Sequence, residues 1–433
     1  MSWDFETDPA FQKELDWVDN FVREEVEPLD YVLGSPYNVQ SPRYQRLVRP
    51  LQQRVREHKL WACHLGPELG GPGYGQVKLA LLNEILGRSL FGPAVFGCAA
   101  PDTGNAEILA HYGTAEQKRR YLTPLLANEI VSCFSMTEPQ GGADPLMLKT
   151  RAVRDGDDWV INGEKWFSSN ACFAAFFIAM VVTDPDAPPY KGMSMFVIPA
   201  GTPGLTTVRD VHLSHPNAAI GGGHGYLRFN NVRVPADHML GQPGEGFVVA
   251  QTRLGGGRIH HAMRTIGEAR KALNMMIQRA LSRYTQGELL AKKQMVQEKI
   301  ADSWIELEQF RLLVLRTAWL IDKHNDYKLV RKDIAAVKAA MPKVLHDIAS
   351  RALQIHGSLG ITDEVPFMDQ ILASYAMGLA DGPTEVHKIT LARELLRSQT
   401  GTKDLFPAYH RPLERERALA RYAEALADLP PEL

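Results

Sequence analysis

The chain has 433 residues, 45% of them hydrophobic and 23% charged, and its 48 basic side chains nearly cancel its 50 acidic ones. That length exceeds one ordinary core and implies two or three domains of a soluble globular protein. The balanced charge gives no footing for nucleic acid or a membrane surface as a partner. The four cysteines, Cys63, Cys98, Cys133 and Cys172, are widely spaced and form no zinc or CxxC pattern, so free thiols in a reducing compartment are expected. The first residues, MSWDFETDPA, are acidic and lack a signal-peptide layout. The longest apolar run, FAAFFIAMVV at 173–182, is far short of the roughly 20 residues of a spanning helix. A cytoplasmic location is the expectation.

Residues 1–129 read as helical. Phe11, Leu15, Val18 and Val22 recur at helical spacing, with Pro28 following as a stop signal. KLALLNEILGRSL and TAEQKRRYLTPLLANE continue the pattern, and Thr114 stands three residues before Gln117 as in a capping box. From 130 to 243 the texture is that of short strands. DDWVINGEKWFSS sets Asn162-Gly163 between two strand-like runs, which predicts a hairpin turn there. AAFFIAMVVTD, MSMFVIPAG and YLRFNNVRVPA are further β-rich runs.

Helix returns over 244–401. One stripe holds Ile266, Ala269, Leu273, Met276 and Ala280. The next holds Ile300, Trp304, Leu307, Val314, Ala318 and Ile321. A third holds Ile334, Val337, Met341, Val344, Ile348 and Ala352, with Pro342 as a kink or start point. Long amphipathic helices on short loops make a bundle. The last helix is EVHKITLARELLRSQ, and residues 402–433 form a peripheral charged tail.

Five stretches carry candidate chemistry. CFSMTEPQGGADPLMLKT at 133–150 offers the hydroxyls of Ser135 and Thr137 and a Gly-rich turn, able to hydrogen-bond a planar ring edge or to serve simply as a turn. INGEKWFSSNA at 161–171 sets Trp166 and Phe167 beside Ser168 and Ser169; each aromatic alone reads equally as core. SRYTQGELLAKKQ at 282–294 contains Arg283, whose planar fork suits phosphate. LQIHGSLGIT at 353–362 has glycines that permit close approach to phosphate or cap a helix. TRLGGGRIHHAMRTIGEA at 252–269 holds Arg258 and the adjacent His260 and His261. Those two face different sides of a helix, so no two-histidine metal site, and no metal, is expected.

In this order, and with LADGPTEVHKITLAREL at 379–395, these motifs resemble the acyl-CoA dehydrogenase family along nearly the whole chain. The resemblance implies an α+β protein: an N-terminal α-helical domain, a central β-barrel or sandwich domain, and a C-terminal four-helix bundle. It implies FAD held by Phe134, Ser135, Met136, Thr137, Gly142 and Ala143, with Phe167, Ser168 and Ser169 at the ring. Arg283, Gln286 and Gln294, then Gln354, Gly357 and Ser358, would reach a partner subunit's FAD across a homodimer or homotetramer interface. Gln286 stands where the family commonly has an aromatic. Pro383, Thr384 and Glu385 complete the cofactor set. The acyl-CoA substrate is expected beside Arg258, Gly382 and Ala143, the last in the place of a serine common in the family.

On its own, Asp381 before Gly-Pro is a turn residue. In the resemblance it takes the position of the family's glutamate base, which removes the α-proton of an acyl-CoA thioester while a hydride passes to the flavin. Its backbone N–H and a flavin hydroxyl would meet the thioester oxygen. An apolar pocket is expected to raise its pKa. Electrons would leave to an electron-transfer flavoprotein or similar acceptor. Nitroalkane oxidase-like, acyl-CoA oxidase-like and non-catalytic flavin-scaffold roles share the fold and stand as alternatives.

Overall fold

The computed structural model describes residues 6–213 and 223–430. Its helices begin where side chains satisfy their free N–H groups. Asp8 accepts the N–H of Phe11 ahead of the Pro9–Phe21 helix, with Pro9 at the first helical position. Thr114 and Gln117 form the predicted capping box. The Gly75–Leu86 helix is capped from another part of the chain. Asp322, in the Gln294–His324 helix, accepts the N–H groups of Gln76 at 2.6 Å and Val77 at 2.9 Å. A carboxylate at that positive end ties the N-terminal helices to the C-terminal ones.

These two helical regions share one core. Phe11, Leu15 and Val18 belong to the same buried cluster as Ile266, Leu273, Val314 and Met341. The closest approach lies between the Gly75–Leu86 helix and the long Gly246–Ser282 helix. A Cβ on Gly87 would lie 2.0 Å from the carbonyl oxygen of Arg264, and one on Gly267 would lie 2.0 Å from that of Glu84. Only glycine permits backbones this near.

Between the helical regions lies one mixed sheet: β1 (Ser132–Ser135), β2 (Arg151–Asp155), β3 (Asp158–Ser169), β4 (Phe176–Val182), β5 (Met193–Pro199), β6 (Leu205–Val211), β7 (His224–Pro235) and β8 (Met239–Leu240). The order is β6-β7-β3-β2-β4-β5-β8, with β1 parallel to β4. The central strand β4 is apolar throughout because both its faces are covered. Phe176, Ile178 and Met180 pack toward Ile108, Leu109 and Val249, while Phe177, Ala179 and Val181 join a second core on the opposite face.

Asn162-Gly163 is not the hairpin turn. The turn falls at Gly156-Asp157, and Asn162-Gly163 lies within β3 at a register shift against β7. Gly163 has φ 144°, and a Cβ there would sit 2.6 Å from the Thr150 Cα. The dipeptide that signals a turn is here a bulge, because its positive φ serves either. Trp304 also departs from its predicted stripe: it is 56% exposed. The Arg331–His356 helix runs through Pro342, and the Arg411–Arg421 helix of the tail is exposed. Among the described residues no helix is long and apolar enough to cross a membrane.

One buried ion pair clamps the sheet beneath the two segments expected to meet the flavin. Lys165, fully buried, donates to Glu138 Oε1 at 2.8 Å and to the Met136 carbonyl at 2.9 Å. Glu138 also accepts the N–H groups of Lys149 at 2.7 Å and Thr150 at 3.0 Å. Burial pulls the Lys165 ammonium down to about 8 against the pull of Glu138. Removing one partner of such a pair strands the other charge, at a cost of about 3–5 kcal/mol. Lys165→Met should therefore lower unfolding free energy in urea by about 3 kcal/mol, and the Glu138→Leu/Lys165→Met double variant by less than the sum of the singles. A loss below about 1 kcal/mol for the single variant would refute the clamp.

Candidate active site

The turn between the Phe367–Leu379 and Thr384–Arg397 helices holds Asp381 at φ 54° and Gly382 at φ 101°. A non-glycine residue in that region is uncommon and persists only where its surroundings hold it. Here they do so through its carbonyl, which accepts Arg258 Nε at 3.0 Å and His387 Nε2 at 3.2 Å. Burial brings His387 down to about 4, so its ring is neutral and donates. The turn is thus a fixed mount, and the Asp381 side chain, 20% exposed, projects from it.

The carboxylate meets cations. Arg253 Nη1 is 4.0 Å from Oδ1, and His261 Nε2 is 3.8 Å from Oδ2. Lys338, 2% exposed, donates to the Met377 carbonyl and lies close enough to act on Asp381. Burial pulls Lys338 down to about 8, against the opposing pull of Asp381. Burial alone would raise the Asp381 pKa, as expected from the sequence. The charges of Arg253, Lys338 and Arg258, together with the facing His261 ring, outweigh it and hold the carboxyl below its usual range. The expectation of a raised value is therefore corrected: an apolar pocket was anticipated, and a cationic one surrounds the group.

Arg253 also joins this site to the sheet. Its guanidinium lies 4.0 Å from the centre of the Phe134 ring, in β1, and its Nε donates to Asn105 Oδ1 at 3.0 Å. Along β1 and β3 the Ser135 and Ser168 hydroxyls are fully buried and bonded to each other at 2.9 Å. Those two side chains are directed at one another, which leaves half-buried Thr137 as the hydroxyl of that segment open to a ring edge. Ser169 bonds His224 Nδ1 at 2.9 Å. Phe167 has φ 54° and is 42% exposed, its ring 5.6 Å from Trp166 and 5.0 Å from His224. A strained backbone that presents a large apolar ring to the outside, beside Met136 and Thr137 on the same clamp, fits a planar aromatic cofactor. Gly142 and Ala143 lie on the exposed turn of that segment.

The remaining expected cofactor residues either follow Asp381 directly or are exposed elsewhere on the helical region. Pro383 and Thr384 open the helix after Asp381, and Glu385 is exposed in its first turn. Arg283, Gln286 and Gln294 are exposed around a small hairpin of Tyr284–Thr285 and Glu288–Leu289, turning at Gln286-Gly287 with φ 49° and 83°. Gln354, Gly357 and Ser358 are exposed at the end of the Arg331–His356 helix. Sequence reasoning missed Arg253, His261, Lys338 and His387. Arg253 and His261 were in a quoted motif, but Lys338 interrupts an apolar stripe with nothing local to mark it.

Comparison with known proteins agrees with this architecture. Residues 10–129, 133–232 and 244–396 match, in order, the N-terminal, middle and C-terminal domains of acyl-CoA dehydrogenase. FadE2 of Mycobacterium tuberculosis is 39% identical over 405 residues, covering 92% of this chain and 94% of that one. Human acyl-CoA dehydrogenase family member 11 is 36% identical over 397 residues, covering 90% of this chain. The chain spans 50% of that relative's length and 37% of mouse family member 10. A solved structure from Mycobacterium abscessus superposes with TM-score 0.84 at 38% identity, covering 91% of this chain and all of that one. Butyryl-CoA dehydrogenase from Megasphaera elsdenii gives 0.76 at 25% identity, again over 91% of this chain and all of that one. The chain belongs to the acyl-CoA dehydrogenase family.

Proposed function

We propose that this protein is an FAD-dependent dehydrogenase that converts an acyl-CoA thioester to its trans-2-enoyl-CoA, with Asp381 as the base. The observation that carries this reading is the placement of a rigidly mounted carboxylate beside Arg253, which also touches Phe134 of the segment resembling the family's flavin signature. The family and its solved relatives are FAD flavoproteins, and Phe167, Thr137 and the 134–143 backbone are the residues of this chain suited to hold the ring. Bound FAD supplies a two-electron acceptor for the β-hydrogen of the substrate.

Asp381 takes the α-proton. Negative charge then leaves its carboxylate and develops on the thioester oxygen. Arg253, Arg258 and Lys338 keep their charge through this transfer, so the site favours the developing anion by long-range attraction. The electrons pass on to an electron-transfer flavoprotein or similar acceptor. Arg283, Gln286, Gln294, Gln354, Gly357 and Ser358 reach the FAD of a second copy in a homodimer or homotetramer. Their exposure supports this, as does that of Trp304 and Leu396, at 56% and 74%.

Anaerobic mixing with a panel of acyl-CoAs should bleach the flavin absorbance with at least one of them. Bleaching by nitroalkanes alone would point to the oxidase of the same fold, and no bleaching at all to a scaffold. Asp381→Asn should retain FAD while the rate constant of flavin reduction falls by roughly 10²–10⁴-fold; a parental rate removes Asp381 from the mechanism. The same variant tests the charge balance. A carboxyl held below its unfolded value of 3.8 adds stability above that pH and loses it as pH falls through the folded value. Asp381→Asn should thus melt roughly 2 °C lower than the parent at pH 6, and the gap should close below about pH 4. Arg283→Ala should lose FAD on gel filtration; unchanged flavin content would argue against the inter-subunit role.

A further inference from the structure

We propose that His261 is a positioning residue for the base: a neutral Nε2–H donor that holds Oδ2 of Asp381 while Arg253 faces Oδ1. The inference rests on the functional reading above and concerns how the carboxylate is aimed. An aspartate on a fixed backbone has two side-chain torsions. The mount at its carbonyl sets neither, so the plane of the carboxylate must be set by what its oxygens meet.

The tautomer follows from the neighbours. Arg264 Nη2 lies 3.4 Å from His261 Nδ1. A guanidinium can only donate, so Nδ1 carries the lone pair and the hydrogen of the neutral ring sits on Nε2. Nε2 faces Asp381 Oδ2 at 3.8 Å, and a side-chain shift of roughly 0.6–0.9 Å closes that separation to an N–H···O hydrogen bond. Arg264 is itself anchored: its Nη1 donates to Asn83 Oδ1 at 3.4 Å, and Asn83 is 1% exposed. The close backbone approach at Gly87 and Gly267 brings Asn83 within that reach. The line Asn83–Arg264–His261–Asp381 therefore runs from the N-terminal domain to the proposed base.

The ring stays neutral for a physical reason. Burial, then Arg264, Lys338 and Arg253, all disfavour a charged imidazole, and only Asp381 favours it; the balance puts it at about 3. The charged and titratable groups facing Asp381 are Arg253, Arg258 and His261 from the Gly246–Ser282 helix, Lys338 from the Arg331–His356 helix, and neutral His387. A further cation in place of His261 would depress the base more, whereas a neutral donor orients it at less cost to basicity. His261 is not a relay for the abstracted proton, because Nε2 already carries hydrogen and Nδ1 faces Arg264.

The test compares His261→Gln, whose amide N–H can take the place of Nε2–H, with His261→Asn, whose amide is too short. Both are prepared with FAD bound. The rate constant of flavin reduction by a substrate acyl-CoA is measured against pH, and the Asp381 carboxyl is titrated by ¹³C NMR in the oxidised protein, with Asp381→Asn locating the signal. His261→Gln should stay within about threefold of the parent with an unmoved midpoint. His261→Asn should fall about tenfold or more, with its carboxyl midpoint shifted upward. Equal behaviour of the two variants, whether both parental or both impaired, overturns the proposal. If no acyl-CoA reduces the parent, the functional reading fails, while the NMR titration still decides whether His261 holds Asp381.

Discussion

The site depends on charge compensation around one carboxylate. Arg253, Arg258 and Lys338 are all drawn out of water, and Asp381 is the anion that faces all three. Each of those cations would be costly alone at that depth, and Asp381 would be so without them. The pocket is therefore a mutual arrangement in which base and cations hold one another. The same balance separates it from a simple hydrophobic slot, in which a carboxyl would titrate high.

Two devices keep that arrangement in register with the rest of the fold. The backbone of Asp381 is locked by Arg258 and His387 on its carbonyl, so its positive φ is imposed by tertiary contacts. The Glu138–Lys165 pair fixes the turn after β1 to β3, setting Phe167 and Thr137 on one clamp. Arg253 spans the gap between the two. Apart from His387, six residues from Asp381, these ties join segments distant in sequence, as Asp322 does in capping the Gly75–Leu86 helix from the C-terminal region.

Much of this was legible where the physics is local. The capping box of Thr114 and Gln117, the stripe from Ile266 to Ala280 and the apolar run of β4 need only neighbours within a few residues. Trp304 failed because its spacing matches the core stripe while its direction lies outside it. Asn162-Gly163 failed because a glycine with positive φ serves a bulge as well as a turn. Ser135 and Ser168 were expected at the flavin ring, and nothing local foretold that the folds of β1 and β3 bond their hydroxyls to each other.

Residue order alone established the three-part organisation, the helical and strand periodicities, and the family to which the motifs belong, since all of these are written in short-range pattern. It also singled out Asp381, but only as an acid before Gly-Pro. Whether that acid is surrounded by hydrocarbon or by cations was decided by folding. Arg253, Arg258 and His261 lie more than 100 positions before Asp381 and Lys338 lies 43 before it, and no local pattern records which way four distant side chains point. Electrostatic energy depends on separations of a few ångströms in a medium of low polarisability, and those separations exist only once the helices have packed.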